Sequence, residues 1–350
     1  MKVGIITVHS VPNYGAVLQA YALATYLRER EIDAETIDYR QPDLEELYRM
    51  RWRIPPPIKH WLRLRKNTQF VENQLPLSPK RYHSVNEFLP DVKNYDAFIT
   101  GSDQVWFTGP VQGYDPMYFL DFPAPGKRKI SYAASVGGTT DFAESREKVA
   151  RAVADIGYPG VRDAHTSSMV EPFASRPPTQ VVDPTFLCDF EKLLREGKEP
   201  TEPYLLVFGN FSGALSPVLR SIIRRTGLKK IVSLQYPCAD ATHRVAAPSP
   251  TEWLNYFRHA SFVVTSYFHG TAIAAKFSRP FLSIPTPGRR IKVATMLDWI
   301  GIPDRAVTTP DPDAGLCADL ATQPIDWSVA QRNIREQTAL SEAFLDSALS

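Results

Sequence analysis

The chain has almost no cysteine. Cys188, Cys238 and Cys317 lie far apart, without a C-x-x-C pair and without histidines at ligand spacing around them. An odd, scattered set argues against a disulfide framework and against structural zinc, so a reducing cytoplasm is the expected compartment. The sequence also lacks any apolar run of the roughly eighteen residues that would span a bilayer. Its start, Lys2-Val3-Gly4-Ile5-Ile6-Thr7-Val8, enters a strand pattern at once, so neither a membrane span nor a cleaved signal peptide is expected. Charge of one sign is equally scarce: a net +2 is too small to imply nucleic acid. The chemistry-bearing patterns that are missing include the three-glycine dinucleotide fingerprint, a serine in a nucleophile elbow and an acidic pair at metal-ligand spacing. No metal and no resident cofactor is expected.

One local departure from charge balance stands out. Between Leu47 and Val71 there is no acidic residue, whereas Arg49, Arg51, Arg53, Lys59, Arg63, Arg65 and Lys66 are basic and Trp52 and Trp61 are interleaved. The stretch reads either as a surface for a polyanion, a lipid diphosphate or the membrane, or as a solvated helical face anchored by its tryptophans. Pro55-Pro56-Pro57 divides it into two short helices.

A length of 350 residues exceeds what one hydrophobic core usually fills, which favours two domains. Strands are expected at 3–8, 35–38, 95–100, 129–133, 157–162 and 180–182, with a helix over 14–30. After a charged, proline-bearing segment at 191–203 the pattern restarts with strands at 204–208, 231–234, 262–264 and 281–284 and helices at 216–226 and 251–259. Alternation of this kind gives parallel sheets with helices on both faces. The expected fold is α/β, two doubly wound Rossmann-like domains over 1–195 and 196–325. A last periodic segment within 326–350 is expected to pack back on the first domain.

In such sheets ligands bind beyond the carboxyl ends of strands, and several motifs fall there. Thr265-Ser266-Tyr267-Phe268-His269-Gly270-Thr271 places His269 where a strand gives way to a helix, next to backbone N–H groups and a partial positive charge that favour an anion. Histidine there exchanges protons near neutral pH, or simply caps the helix. Gly101-Ser102-Asp103-Gln104-Val105-Trp106 follows a buried strand. Asp103 could take a proton from a substrate hydroxyl and Trp106 could support a sugar ring, the alternative being an Asx-turn over a core tryptophan. Asn13-Tyr14-Gly15 opens the first long helix, and Gly209-Asn210-Phe211-Ser212-Gly213 is the equivalent loop in the second half, placed to cradle phosphate or merely to turn. Arg162 ends a short strand, either as a fork for carboxylate or phosphate or as half of an Arg162-Asp163 surface pair. Gly288-Arg289-Arg290-Ile291-Lys292 adds three cations on the same side. Asp183, in Val181-Val182-Asp183-Pro184-Thr185, is assigned to the domain junction rather than to substrate.

Taken in order, Asn13-Tyr14-Gly15, Tyr95-Asp96 leading to Gly101-Ser102-Asp103-Gln104-Val105-Trp106, Ile130-Ser131-Tyr132-Ala133-Ala134-Ser135, Val161-Arg162-Asp163, Val182-Asp183-Pro184-Thr185 and Ser266-Tyr267-Phe268-His269-Gly270 resemble the polysaccharide pyruvyl transferase family, from the first strand to about Arg305. The resemblance implies a fold like the two-domain GT-B glycosyltransferases, with an interdomain active site. It implies transfer of an enolpyruvyl unit from phosphoenolpyruvate to two hydroxyls of a sugar in a cell-surface glycan or its precursor, lipid-linked or otherwise. On this reading His269 and Asp103 are catalytic. Arg162, Asn210, Ser266, Gly270, Thr271, Arg289 and Arg290 bind the donor, and Asn13, Tyr14, Gly15, Ser102, Gln104 and Trp106 bind the acceptor. Many family members carry arginine two positions before the histidine, where this chain has Tyr267. A glycosyltransferase using a nucleotide sugar and a non-catalytic glycan-binding relative are the alternatives on the same fold. The expected location is the cytoplasm, including the inner face of the membrane, with peripheral membrane association as one partner expectation and nucleic acid excluded.

Overall fold

The computed structural model of the chain describes residues 1–50, 58–109, 113–194, 202–211, 215–309 and 311–350. Apolar runs become the inner strands of two sheets. The first contains β1 (Lys2–Ile6), β2 (Asp33–Tyr39), β3 (Leu77–Tyr82), β4 (Ala97–Thr100), β5 (Arg128–Ala134), β6 (Tyr158–Val161) and β7 (Thr179–Gln180), ordered β3-β2-β1-β4-β5-β6-β7. The second contains β8 (Tyr204–Phe208), β9 (Lys230–Leu234), β10 (His243–Val245), β11 (Phe262–Thr265) and β12 (Phe281–Ser283), ordered β10-β9-β8-β11-β12. Every strand pairing is parallel. Helices on both faces bury a parallel sheet completely, which is why β4, β8 and β11 are buried at every position.

Two strands, β3 and β10, had no counterpart among the sequence expectations, and both are edges. β3 contains Pro79, which cannot donate to a ladder, and exposes Pro79, Lys80 and Arg81. β10 is three residues long with His243 and Arg244 exposed. Neither carries the apolar run by which a buried strand is recognised.

The chain separates into two compact units, Met1–Asp189 with Gln337–Ser350, and Phe190–Glu336. Residues 195–201, where the sequence sets its boundary, lie outside the described residues. So do Arg51, Trp52, Arg53 and the prolines at 55–57, and Ser212 and Gly213, together with the side chain of Arg49. The end of the last helix, Trp327–Leu349, packs on the first sheet: Leu345 and Ala348 join Val3 and Ile5 in one core. Ser341 Oγ accepts from Val182 N at 2.9 Å, and Arg128 donates to Leu349 O at 2.7 Å.

Strand order reverses between β1 and β4 in the first sheet and between β8 and β11 in the second. Loops leaving such neighbouring strands part in opposite directions and leave a crevice. Thr7, Gly101-Ser102-Asp103, Gly209-Asn210 and Ser266-Tyr267 occupy those four loops.

Candidate functional site

In the first unit the crevice is closed at its base by a buried polar network. Gln19, fully buried on the first helix (Tyr14–Glu29), donates to Thr7 Oγ1 at 2.9 Å and accepts from Ser102 N at 3.1 Å. Thr7 Oγ1 in turn donates to Ser102 O at 3.0 Å, tying the loops after β1 and β4 together. Gly101 has φ 109°, and a Cβ there would overlap the backbone carbonyl of Tyr132, so the turn requires glycine. The peptide from Gly101 to Ser102 is cis, and Asp103 itself has φ 77°.

Asp103 and Asp183 meet at one guanidinium. Arg162 lies 3.2 Å from Asp183 Oδ2 and 3.4 Å from Asp103 Oδ1, its side chain 2% exposed. Burial pulls the Arg162 pKa down, but Asp103, Asp183 and Asp163 outweigh it, and the net shift is upward. Asp183 also receives Ser102 Oγ at 3.2 Å and turns its other oxygen to Thr185. Asp163 caps the short helix Ala164–Val170 and accepts from Ser135 Oγ at 2.9 Å. Of the three carboxylates, Asp103 keeps 15% of its side chain exposed, whereas Asp183 keeps none.

Sequence reasoning missed a second polar cluster on the same edge. Asp38, near the end of β2, accepts from His9 Nε2 at 3.2 Å, from Arg40 Nε, and from Arg81 Nε at 3.0 Å. Burial alone would raise the Asp38 pKa; its bonds to His9, Arg40 and Arg81 prevail and hold it well below the ordinary carboxylate range. The available signal was polar residues, Asp38 and Arg40, at the end of an otherwise buried strand.

In the second unit β11 ends at Thr265 and, after Ser266 and Tyr267, the helix Phe268–Lys276 begins. Thr265 Oγ1 accepts from Tyr267 N at 3.2 Å, and Thr271 Oγ1 donates to Tyr267 O at 3.1 Å and meets Ser283 Oγ at 2.8 Å. These bonds fix the start of the helix and with it His269, which is half-buried and stands edge-on to Phe268 at 5.2 Å. Gly270 lets the helix approach the sheet: a Cβ would overlap Thr265 Oγ1 and stand 3.2 Å from Phe208. Tyr267 stacks on Tyr236 with centroids 5.6 Å apart and hydroxyls 2.6 Å apart. Arg289 covers the ring of Tyr267, its Cζ 4.3 Å from the centroid, and donates to Thr286 Oγ1 at 2.6 Å. Beside this stack a cavity of about 220 Å³ opens among Asn210, Phe211, Tyr236, Cys238 and Asp240.

Several expected ligand residues lie in the interior. Trp106 is no sugar platform: it is fully buried, stacks on Phe119 at 5.7 Å and donates Nε1–H to Tyr118 O. Tyr14, Gly15, Ser102, Ser266, Gly270 and Thr271 are buried as well. Ser266 Oγ bonds Asn210 O at 3.4 Å, joining the loops after β8 and β11. Arg162 is engaged by the carboxylates of Asp103 and Asp183. Among the residues expected to bind, Asn13 is exposed and caps the first helix by accepting from Gly15 N, while Asp103, Gln104, His269, Arg289 and Arg290 are half-buried or better exposed. Among the described residues no group of three or more His, Cys, Asp or Glu is placed to hold a metal ion.

The sequence model of a family described as Polysaccharide pyruvyl transferase matches residues 13–287. No curated protein matches the chain. Solved structures match throughout. A UDP-GlcNAc 2-epimerase from Methanocaldococcus jannaschii has TM-score 0.58 at 10% identity, covering 99% of each chain. The enzyme of that name from Neisseria meningitidis has TM-score 0.57 at 8% identity, covering 100% of this chain and 99% of its own. The spinosyn forosaminyltransferase SpnP has TM-score 0.51 at 11% identity, covering 100% of both. Likeness at such identity concerns the fold, a double Rossmann architecture of the GT-B kind.

Proposed function

Since the chain belongs to the polysaccharide pyruvyl transferase family and is thereby a pyruvyl-transferring enzyme, we propose that its donor is phosphoenolpyruvate and its acceptor a sugar of a cell-surface glycan precursor handled in the cytoplasm. The reaction forms a ketal. Protonation of the donor's methylene carbon makes C2 electrophilic, and a sugar hydroxyl adds there. Phosphate leaves, and a second hydroxyl closes the ring. Of the two hydroxyl protons released, one ends on the new methyl group and the other on phosphate.

Asp103 is the base for the acceptor hydroxyl. Its carboxylate, 3.4 Å from the Arg162 guanidinium, is the one of the Arg162 pair that keeps part of its surface exposed. Asp183 and Ser102 hold Arg162 and the Asp103 loop in place, so Arg162 is a positioning residue. His269 supplies the acid, and the start of its helix receives the departing phosphate. The observation that carries this reading is Arg289 laid over Tyr267 at the helix start. A cation supplied by another loop there serves the carboxylate or phosphate of the donor, with Arg290 and Asn210 nearby in sequence and fold.

Calorimetric titration with phosphoenolpyruvate, beside uridine and guanosine diphosphate sugars, tests the proposal. Binding of phosphoenolpyruvate, weakened in His269→Ala, is the expected result. Selective binding of a nucleotide sugar would replace pyruvyl transfer with glycosyl transfer.

A further inference from the structure

The helix Ile58–Gln74 has two apolar faces with different fates. Near its end, Asn67, Phe70 and Val71 turn inward, and Phe70 meets Tyr21 of the first long helix at 5.9 Å. Near its start, Ile58, Trp61 and Leu62 turn outward and are 76%, 48% and 37% exposed. Spacings of three and four place these three and Arg65 on one side of the helix. The Arg65 guanidinium lies over the Trp61 ring, Cζ 5.3 Å from its centroid. Lys59 and Lys66, seven residues apart, lie along one side of the row, and no acidic residue occurs between Glu46 and Glu72. A helix that merely covers a core turns polar residues to water. This one turns isoleucine, tryptophan and leucine to water beside Lys59, Arg65 and Lys66.

We propose that this outward face docks the protein on an anionic phospholipid surface. Tryptophan and aliphatic side chains enter the boundary between headgroups and acyl chains, while lysine and arginine meet the phosphates. A second copy of the chain is the poorer occupant. A twofold contact would set Lys59, Arg65 and Lys66 against the same three cations. Nucleic acid would engage the cations but gain nothing from Ile58 or Leu62. Because the chain's net charge is only +2, attraction to the bilayer comes from this patch rather than from the molecule as a whole. The docking is independent of the reaction assigned above, and it would bring the enzyme to any acceptor carried on a lipid.

Co-sedimentation of the full chain with vesicles tests it. Vesicles of phosphatidylcholine with about one third phosphatidylglycerol should pellet the protein, vesicles of phosphatidylcholine alone should not, and salt near 1 M should release it. Trp61→Ser/Leu62→Ser should lose binding, and each of Lys59→Ala and Arg65→Ala should weaken it about fivefold. Both side-chain sets are exposed, so unchanged circular dichroism and melting temperature are expected for all three variants. Protein that stays in the supernatant with anionic vesicles overturns the proposal. Variants that bind like the parent also overturn it. A concentration-dependent dimer in sedimentation velocity that Trp61→Ser/Leu62→Ser abolishes would make the face a self-contact instead.

Discussion

The guanidinium carbon of Arg289 lies 4.3 Å from the centre of the Tyr267 ring, and the Tyr267 hydroxyl is fixed in turn by that of Tyr236. The tyrosine is thus a pedestal for a cation that comes from another loop. Cation–π contact holds the guanidinium over the ring, and one N–H is spent on Thr286 Oγ1.

A swap experiment follows from that geometry. Arg289→Ala should weaken phosphoenolpyruvate binding about 10- to 100-fold, the loss of a charge-assisted pair of hydrogen bonds. Adding Tyr267→Arg to Arg289→Ala should restore part of that affinity, by returning a cation to the start of the helix. Tyr267→Phe keeps the ring and should weaken binding only a few fold. Calorimetric Kd values for the three variants check this, and a double variant no better than Arg289→Ala would deny the cation its role.

Asp103 and Arg162 should separate catalysis from stability. Asp103→Asn preserves shape and leaves the network beneath it paired, so the melting temperature should hold while kcat falls about 10²- to 10⁴-fold. Arg162→Ala removes the partner of the fully buried Asp183 and should cost about 3–5 kcal/mol in urea unfolding. Comparable destabilisation in both variants would mean that Asp103 serves structure alone.

How far these residues could be read from the sequence depended on what each signal measures. Buried strands were legible because burial on both faces leaves apolar runs such as Tyr204-Leu205-Leu206-Val207-Phe208; the edges β3 and β10 were not, because their exposed sides carry Lys80, Arg81 and Arg244. Motif position located His269 and Asp103 at carboxyl ends of strands, since that depends only on element order. Burial of Trp106 and the engagement of Arg162 depend on Phe119, Tyr118 and Asp183, neighbours set by tertiary packing. The contact of Arg289 with Tyr267 was hidden for the same reason, and so was the Asp38 cluster, whose partners His9 and Arg81 come from the loop after β1 and the end of β3.

Glycine at position 101 should be irreplaceable. Gly101→Ala combines a φ of 109° with overlap on the Tyr132 carbonyl, a backbone atom that cannot turn aside. Destabilisation of at least about 3 kcal/mol is expected, from strain and overpacking together. Gly138→Ala is the control, because a Cβ there meets nothing within 4 Å. Its stability should lie within about 0.5 kcal/mol of the parent, as for most surface changes. Urea midpoints for the two variants decide the matter; equal values would remove the steric argument.

The Asp38 cluster gives stability a defined dependence on pH. Because the folded pKa of Asp38 is depressed, the unfolded chain takes up the proton first as the solution is acidified. The contribution of Asp38 is therefore complete above the ordinary carboxylate pKa of about 4 and is lost progressively below it. Asp38→Asn should be less stable than the parent at pH 6, with the gap narrowing as pH falls to 3. Asp121, Asp240 and Asp326, whose pKa values are also lowered, act in both proteins, so the difference between the two curves isolates Asp38. Urea midpoints measured across this range check the sign; curves that stay parallel would place the acid sensitivity elsewhere.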